Sequence, residues 1–358
     1  MRLGAAWRLI SREQGAPSLP IAGKREQADS HEKWERLCRP LCFQSGRFRR
    51  AYGFKMIDAV LLGTGGMLPL PNRWLSSLVV RVSGHLTLFD CGEGTQIAWR
   101  ESGWGFRRLG AICISHTHAD HVAGLPGLLH AVANAGRTEP ISVFGPVGTA
   151  DVVSALRTIA PVLPYDVLLT DLRGGERFML PGGLVGSCHP GDHALPVLTY
   201  RADLVRSRAF LPERARALKI PLDLWKRLQV GEPVSWPGGD ATPDAVLGPP
   251  RSGISIAYVT DTRPVPELWQ FLESVDLLVC EGTYGSDGDL SKAVRNRHMT
   301  FREAATLATR ANARLLWLTH FSPALEDPDA FAANATDEFR KATIGHDGLS
   351  IGLPFSDE

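Results

Sequence analysis

The most constraining feature of the sequence is a cluster of metal-binding side chains in the segment SHTHADH at residues 115–121. An apolar run at 109–114 precedes the cluster and predicts a buried strand. Residues 127–132, which follow it, predict a helix. The cluster is therefore expected on a strand-to-helix turn, where side chains from a tight loop can converge on one point.

The spacing within this segment predicts two groups of metal ligands. His116 and His118 stand two residues apart, so an extended backbone turns both imidazoles to the same side. Asp120 and His121 follow on the turn and can face a second point nearby. Neutral imidazole and carboxylate are the ligands that zinc takes in catalytic sites.

Size and composition indicate a globular chain with a large core. The chain has 358 residues, 44% of them hydrophobic, which allows one large α/β domain or two small ones. The sequence contains no run of eighteen or more uncharged apolar residues, so no transmembrane helix is expected. It has no continuous apolar stretch near its start, so a secretory signal is not expected either. Most of the six cysteines lie in apolar contexts typical of buried thiols. We therefore expect a cytoplasmic protein without membrane partners.

The H-x-H-x-D-H motif resembles the signature of the metallo-β-lactamase fold. Residues 90–96, DCGEGTQ, resemble the D-x-G-E-G-T-Q segment of ribonuclease Z, the tRNA 3′-processing endonuclease. The resemblance extends from about Met56 to about Pro323. It implies an α/β fold, an αββα sandwich of two mixed sheets flanked by helices, with a small inserted arm.

The first 55 residues differ in character from the rest of the chain. Residues 1–55 carry twelve Lys and Arg against five Asp and Glu, and they show no sustained hydrophobic period. We expect a disordered or non-native extension; a basic RNA-binding arm or a targeting extension is the alternative. Residues 57–62 predict a first strand, so the hydrolase domain is expected at 56–358.

The resemblance implies the remaining metal ligands and their groups. His193 lies in a match to H-x-x-P-x-x-x-Y-R, Asp261 in T-D-T-R and His320 in T-H-F-S. One metal would be held by His116, His118 and His193, the other by Asp120, His121 and His320, with Asp261 between them. Asp90 would orient a ligand histidine from outside the ligand set.

The same resemblance implies a two-metal hydrolysis of precursor tRNA. Two Zn²⁺ ions, with Mn²⁺ or Fe as alternatives, would share a hydroxide that attacks the phosphorus after the discriminator nucleotide and removes the 3′ trailer. Asp120 would handle the proton of the nucleophile. His298, oriented by Glu281, would protonate the leaving 3′-oxygen.

An inserted basic arm at about 201–232 is expected to hold the tRNA. Two short helices are predicted there, at 212–218 and 221–229. Lysine and arginine suit phosphate contacts, and the family is usually a homodimer in which one subunit's arm presents substrate to the other. The expected substrate-binding residues, which include one in the loop after the first strand, are Arg73, Arg206, Arg208, Arg214, Arg216, Lys219, Lys226 and Arg227.

Three other functions compete with this interpretation. A hydrolase of a small phosphodiester or aryl sulfate on the same fold would keep the seven ligands but would not need the arm. A non-catalytic RNA-binding relative would have lost ligands, and none is missing here. A glyoxalase- or lactonase-like enzyme would share H-x-H-x-D-H but has no use for Glu281 and His298.

Overall fold

Two seven-stranded mixed β-sheets form the centre of the molecule. The structure, a computed structural model, describes residues 56–355. The expected extension at 1–55 therefore lies outside the described residues. The strands in chain order are β1 Met56–Gly63, β2 Ser77–Val82, β3 His85–Phe89, β4 Leu109–Cys113, β5 Ile141–Pro146, β6 Val167–Leu172, β7 Arg177–Leu180, β8 Leu184–Pro190, β9 Leu198–Arg206, β10 Val234–Trp236, β11 Gly239–Ala241, β12 Arg251–Val259, β13 Leu277–Glu281, β14 Leu316–Thr319, β15 Ala342–Ile344 and β16 Ser350–Pro354.

The sheets combine antiparallel hairpins with parallel crossovers. The first sheet has the order β16-β1-β2-β3-β4-β5-β6, and the second has the order β15-β14-β13-β12-β9-β8-β7. From β3 to β6 and from β12 to β15 neighbouring strands are parallel. Parallel neighbours need crossover connections, which place helices on the outer faces. The predicted α/β sandwich of two mixed sheets is confirmed.

Alternating side chains fill the space between the sheets and the space under the helices. Leu61, Phe89, Tyr200 and Tyr258 belong to the core between the two sheets. Trp99, on helix Thr95–Glu101, belongs to a second cluster between the helices and the first sheet. A third cluster lies on the outer face of the second sheet. The α-helices are Thr95–Glu101, Ala119–Val122, Leu125–Asn134, Thr149–Leu156, Pro212–Ala217, Trp225–Gln229, Pro243–Val246, Leu268–Phe271, Leu290–Asn296, Phe301–Arg310 and Ala332–Thr336.

The inserted arm differs in its limits from the prediction. Residues 201–206 belong to β9, a strand inside the second sheet, because their alternate side chains are buried between the sheets. The arm therefore spans about 207–250, between the end of β9 and the start of β12. It has a core of its own that includes Ile220, Leu228 and Val246. This small core makes the arm a folded platform.

The two predicted arm helices are present but shorter. The first is Pro212–Ala217, and the second is a 3₁₀ turn at Leu222–Leu224 followed by Trp225–Gln229. None of the helices in residues 56–355 has the length and apolarity needed to cross a membrane.

Candidate metal centre

The predicted ligands lie where parallel strands end. Segment 115–121 follows β4, Asp261 follows β12, and His320 follows β14. Strand β4 belongs to the first sheet, and β12 and β14 belong to the second. Loops from distant parts of the chain therefore converge where the carboxyl ends of parallel strands from the two sheets adjoin. His193 reaches the same place from the connection between β8 and β9.

Three of these strand ends have unusual backbone geometry. Asp90, Asp261 and His320 have φ values of 55°, 51° and 59°. The left-handed region is uncommon for residues other than glycine and tends to occur at functional sites. The chain thus turns sharply at the residue that must direct its side chain into the cluster.

His116, His118 and His193 form the first donor set. Nε2 of His116 lies 2.8 Å from Nδ1 of His118, and Nε2 of His193 lies 3.3 Å from the same atom. Two nitrogen ligands, each about 2.0–2.1 Å from one tetrahedral zinc ion, lie roughly 3.3 Å apart. The spacing of the three nitrogens is therefore close to that of ligands sharing one ion.

Asp120, His121 and His320 form the second donor set. Oδ2 of Asp120 lies 3.5 Å from Nε2 of His121 and 3.6 Å from Nε2 of His320. The two imidazole rings stack with centroids 5.2 Å apart. The carboxylate and both nitrogens thus face one point.

Asp261 lies between the two sets and presents a different oxygen to each. Its Oδ1 lies 3.8 Å from Nε2 of His116 and of His193. Its Oδ2 lies 3.2 Å from Nε2 of His121 and of His320. A carboxylate in this position can bind two neighbouring cations at once.

Asp90 and Ser115 orient two of the histidines. His121 donates from Nδ1 to Oδ2 of Asp90 over 2.7 Å. The same carboxylate accepts from the Ser115 amide at 2.6 Å and from its hydroxyl at 2.7 Å. The Ser115 Oγ in turn lies 3.1 Å from Nδ1 of His116. Each Nδ1–H makes a hydrogen bond on the side of the ring away from the cluster. The Nε2 lone pair of each ring therefore points into the cluster.

Thr283 and a main-chain carbonyl orient two more histidines, His320 and His193. The Thr283 hydroxyl donates to Glu281 at 2.6 Å and lies 3.1 Å from Nδ1 of His320. Nδ1 of His193 lies 3.3 Å from the carbonyl oxygen of Arg297. Four of the five clustered ligand histidines therefore present Nε2 to the centre.

The donor set fits a metal. Within residues 56–355, Nε2 of His121 and Nε2 of His320 are buried and have no hydrogen-bond partner. An unpaired buried polar atom costs free energy, and the neighbouring carboxylate oxygens do not meet hydrogen-bond geometry. Zinc, manganese and iron all accept nitrogen and carboxylate ligands of this kind, and a bound ion would satisfy both nitrogens.

Burial and neighbouring charges keep His116 neutral and keep Asp120 and Asp261 ionised, which are the forms that bind a cation. Burial lowers the pKa of His116 well below its usual value, and His121 lowers it further. Burial opposes the ionisation of Asp120, but the neighbouring imidazoles of His121 and His320 hold its pKa far below the usual range. Burial likewise opposes the ionisation of Asp261, but His320 and His121 lower its pKa well below the usual value.

His298 lies beside the cluster and binds a buried carboxylate. Its Nδ1 is 3.1 Å from Oε2 of Glu281 and 3.7 Å from Oδ1 of Asp261. Burial lowers the pKa of His298, but the charge and hydrogen bond of Glu281 outweigh burial and raise the pKa to about 9. His298 therefore carries a proton at neutral pH. Glu281 is itself fixed by the amides of Thr262 and Met299, at 2.7 and 3.1 Å.

Comparisons with known proteins identify the family of the chain. A family model described as anti-Pycsar protein Apyc1 matches residues 57–146, and a beta-lactamase superfamily domain model matches residues 245–321. The chain is 44% identical over 300 residues to ribonuclease Z of Lachnoclostridium phytofermentans, covering 84% of this chain and 99% of the relative. It is 45% identical over 303 residues to ribonuclease Z of Agathobacter rectalis, covering 85% of this chain and 100% of the relative. The chain belongs to the ribonuclease Z family.

Solved structures show the same fold at lower identity. Human tRNase Z, short form, is 23% identical with a TM-score of 0.60, covering 83% of this chain and 100% of the human chain. The Bacillus subtilis metallo-beta-lactamase fold protein YhfI is 17% identical with a TM-score of 0.61, covering 83% of this chain and 99% of that protein. The predicted membership of the ribonuclease Z family is confirmed.

In this ribonuclease Z, several residues that support the site were not indicated by sequence patterns. Ser115 and Thr283 adjoin predicted residues, so their proximity was a usable signal. Asp347 had no such signal in the sequence. It accepts a hydrogen bond from the amide of Trp74 at 2.6 Å, and the two residues lie 273 positions apart. It thereby holds the loop that begins at Met67, whose amide donates to Oδ2 of Asp120 at 2.7 Å.

Three of the eight predicted substrate-binding residues make contacts within the fold. Arg73 donates to the carbonyls of Leu325 and Glu326 at 2.8 and 3.0 Å, which ties its loop to the segment after His320. Arg208 donates to the carbonyl of Gly248 at 2.6 Å at the base of the arm. Arg206, in β9, lies 4.9 Å from the ring centroid of Phe355. The other five are exposed on the arm: Arg214, Arg216, Lys219, Lys226 and Arg227.

We expect Asp90→Asn to weaken metal binding by about 10–100-fold. The carboxylate of Asp90 accepts three hydrogen bonds with its two oxygens, whereas the amide of Asn would keep only one acceptor oxygen. His121 would then lose its orientation. The measurement is metal affinity by competition with a chromophoric chelator. Asp171→Asn is the matched control, since Asp171 also accepts two backbone amides, at 2.8 and 2.9 Å, but away from the cluster. Equal affinities in both variants would contradict the role of Asp90.

Proposed function

We propose that this ribonuclease Z cleaves precursor tRNA on its 3′ side and removes the 3′ trailer, using two zinc ions. The observation that carries the proposal is Asp261, whose two oxygens face two separate donor sets. The family membership supports the substrate class, since the relatives are ribonucleases Z over nearly their whole length.

Each donor set would coordinate one of the two ions. His116, His118 and His193 would hold one, and Asp120, His121 and His320 the other, with Asp261 shared. When bound, two such ions lower the pKa of water and neutralise the charge of a phosphodiester. Manganese or iron would serve the same donors.

Asp120 is placed to take the proton of the attacking water. Burial raises the pKa of Asp120, but the neighbouring imidazoles of His121 and His320 lower it by more, so the carboxylate is ionised at neutral pH. The Met67 amide, 2.7 Å from Oδ2, fixes the orientation of the carboxylate. A fixed, ionised carboxylate next to the reacting phosphate can accept a proton without rearranging.

His298 is placed to protonate the leaving 3′-oxygen. Glu281, at 3.1 Å, holds the proton on the imidazole, and the raised pKa of about 9 keeps it there at pH 7. Arg263 fixes the position of the histidine, since it donates to the His298 carbonyl and pairs with Glu303. The alkoxide of a ribose is a poor leaving group unless it is protonated, so the cleavage of RNA requires a proton donor at this position.

The arm would bind the tRNA through its exposed cations. Its own core orients Arg214, Arg216 and Lys219 outward from the first arm helix and the turn after it. Phosphate contacts of this kind set affinity and depend on salt concentration. A homodimer in which one subunit's arm serves the other, and a cytoplasmic location, complete the proposal.

We expect His118→Ala to lose bound metal and to abolish cleavage of precursor tRNA, because the first donor set drops from three nitrogens to two. Metal content by atomic emission and trailer release on a gel measure this. His189→Ala is the matched control, because His189 packs against Phe271 outside the cluster. Full activity of the His118 variant after thorough chelation would contradict the two-metal proposal.

We expect His298→Ala to lower kcat for precursor tRNA by about 10²–10⁴-fold while metal content is unchanged. Hydrolysis of bis(p-nitrophenyl) phosphate should change little, because its acidic phenol leaves without a proton. Parallel kcat measurements on both substrates test this. Equal losses on both would show that His298 acts on the site as a whole and not as the acid.

We expect charge reversal of Arg214, Arg216 and Lys219 to Glu to raise KM for precursor tRNA, with a smaller effect on kcat, because binding and chemistry lie in different places. Added salt should mimic the variant. Bis(p-nitrophenyl) phosphate, which does not reach the arm, is the control substrate. An unchanged KM for precursor tRNA would remove the arm from substrate binding and favour a small phosphodiester as substrate.

A further inference from the structure

We propose that the open outer face of the second sheet, at the root of the arm, is a further RNA contact that binds phosphates of the precursor tRNA body. We call it the root groove; Arg177, Arg201, Leu204, Arg251, Ser255 and Arg314 are among the residues that line it. The inference rests on the proposed function, because it adds a surface for the same substrate.

Among residues 56–355, the helices leave this part of the sheet exposed. The root groove has a volume of about 630 Å³ and is bordered by β7, β9 and β12. Val205 on β9 is 65% exposed and Met179 on β7 is 67% exposed, although both lie on sheet strands. The other half of the same sheet is packed under helix Phe301–Arg310. A wide, flat surface is therefore accessible.

The root groove is positively charged, whereas the domain as a whole is negatively charged. Residues 56–358 carry 27 Lys and Arg against 33 Asp and Glu. The root groove carries five arginines against two aspartates, Asp203 and Asp276; the arginines are Arg177, Arg201, Arg206, Arg251 and Arg314. An anionic ligand is thus attracted to this face in particular.

Two of these arginines are available to a ligand. Arg201 binds Asp203 at 3.0 Å and the carbonyl of Phe271 at 3.0 Å, and Arg314 lies 3.4 Å from Asp276. Within residues 56–355, no hydrogen bond or ion pair engages the side chain of Arg177 or of Arg251. Guanidinium matches phosphate geometry in a bidentate manner, so free arginines favour phosphate among anions.

The root groove continues the surface of the arm. Arg251 pairs with Arg206 in the sheet, and the arm leaves the sheet between these two residues. Asp261 lies ten residues further along from Arg251, roughly 30 Å away at 3.3 Å per residue. A small phosphodiester at the metal centre cannot span that distance, whereas the body of a tRNA can.

The test is charge reversal of Arg177 and Arg251 to Glu, with Arg100→Glu and Arg340→Glu as a matched control. Arg100 and Arg340 are exposed and lie outside the root groove. We expect the groove pair to raise KM for precursor tRNA about tenfold or more at ~0.15 M salt. We expect the control pair to leave KM unchanged, and both pairs to hydrolyse bis(p-nitrophenyl) phosphate like the wild type.

Arg177→Gln with Arg251→Gln gives an independent measurement that avoids repulsion and misfolding. The slope of log Kd for precursor tRNA against log salt should fall in magnitude by about one to two, as expected for two lost phosphate contacts. Equal shifts in the groove and control pairs, or an unchanged slope, would overturn the proposal. A change in molar mass by light scattering would overturn it in favour of a second copy of the chain on this face.

The outcome is separable from that of the proposed function. If the wild type does not cleave precursor tRNA, the proposed function fails, while the Kd for tRNA still decides whether the root groove binds RNA. If the wild type cleaves and the groove variants bind and cleave equally well, only the root groove proposal fails.

Discussion

The shared position of Asp261 is the constraint on which the rest of the site depends. One buried carboxylate must direct one oxygen to His116 and His193 and the other to His121 and His320. Buried ionic groups are costly unless they are paired and hydrogen-bonded. The site meets this cost with the cations it would hold and with hydrogen bonds that fix the far side of each ring.

This requirement explains why the supporting groups are as buried as the ligands. Asp90 and Glu281 are fully buried and accept several hydrogen bonds each. A loosened carboxylate would let an imidazole rotate and would misplace a metal ligand. The left-handed backbone at Asp90, Asp261 and His320 is tolerated for the same reason, because the packed strand ends determine the direction of each side chain.

Strand β12 runs between the candidate metal centre and the arm. Its carboxyl end leads into Asp261, and its amino end, at Arg251, adjoins the arm. The domain at 56–358 is acidic as a whole, so its attraction for RNA must come from local surfaces such as the arm. Because the arm has its own core around Leu228, its cations can be changed without disturbing the metal centre.

The sequence by itself determined the chemistry and many of the elements. The motif at residues 116–121, the apolar runs that became β1, β2 and β4, and the capping pair Thr300 and Glu303 at the start of helix Phe301–Arg310 all act through neighbouring residues. Only the tertiary structure decided which distant groups meet. The Asp347 bond to Trp74, the pairing of β16 with β1, and the structural roles of Arg73 and Arg208 depend on contacts between segments far apart in the chain. The same holds for the end of β9 at Arg206, since a charged strand end looks like the start of a basic arm until its pairing with β12 is known. Local patterns carry no information about such partners, because the free energy of these contacts arises only when the sheets pack together.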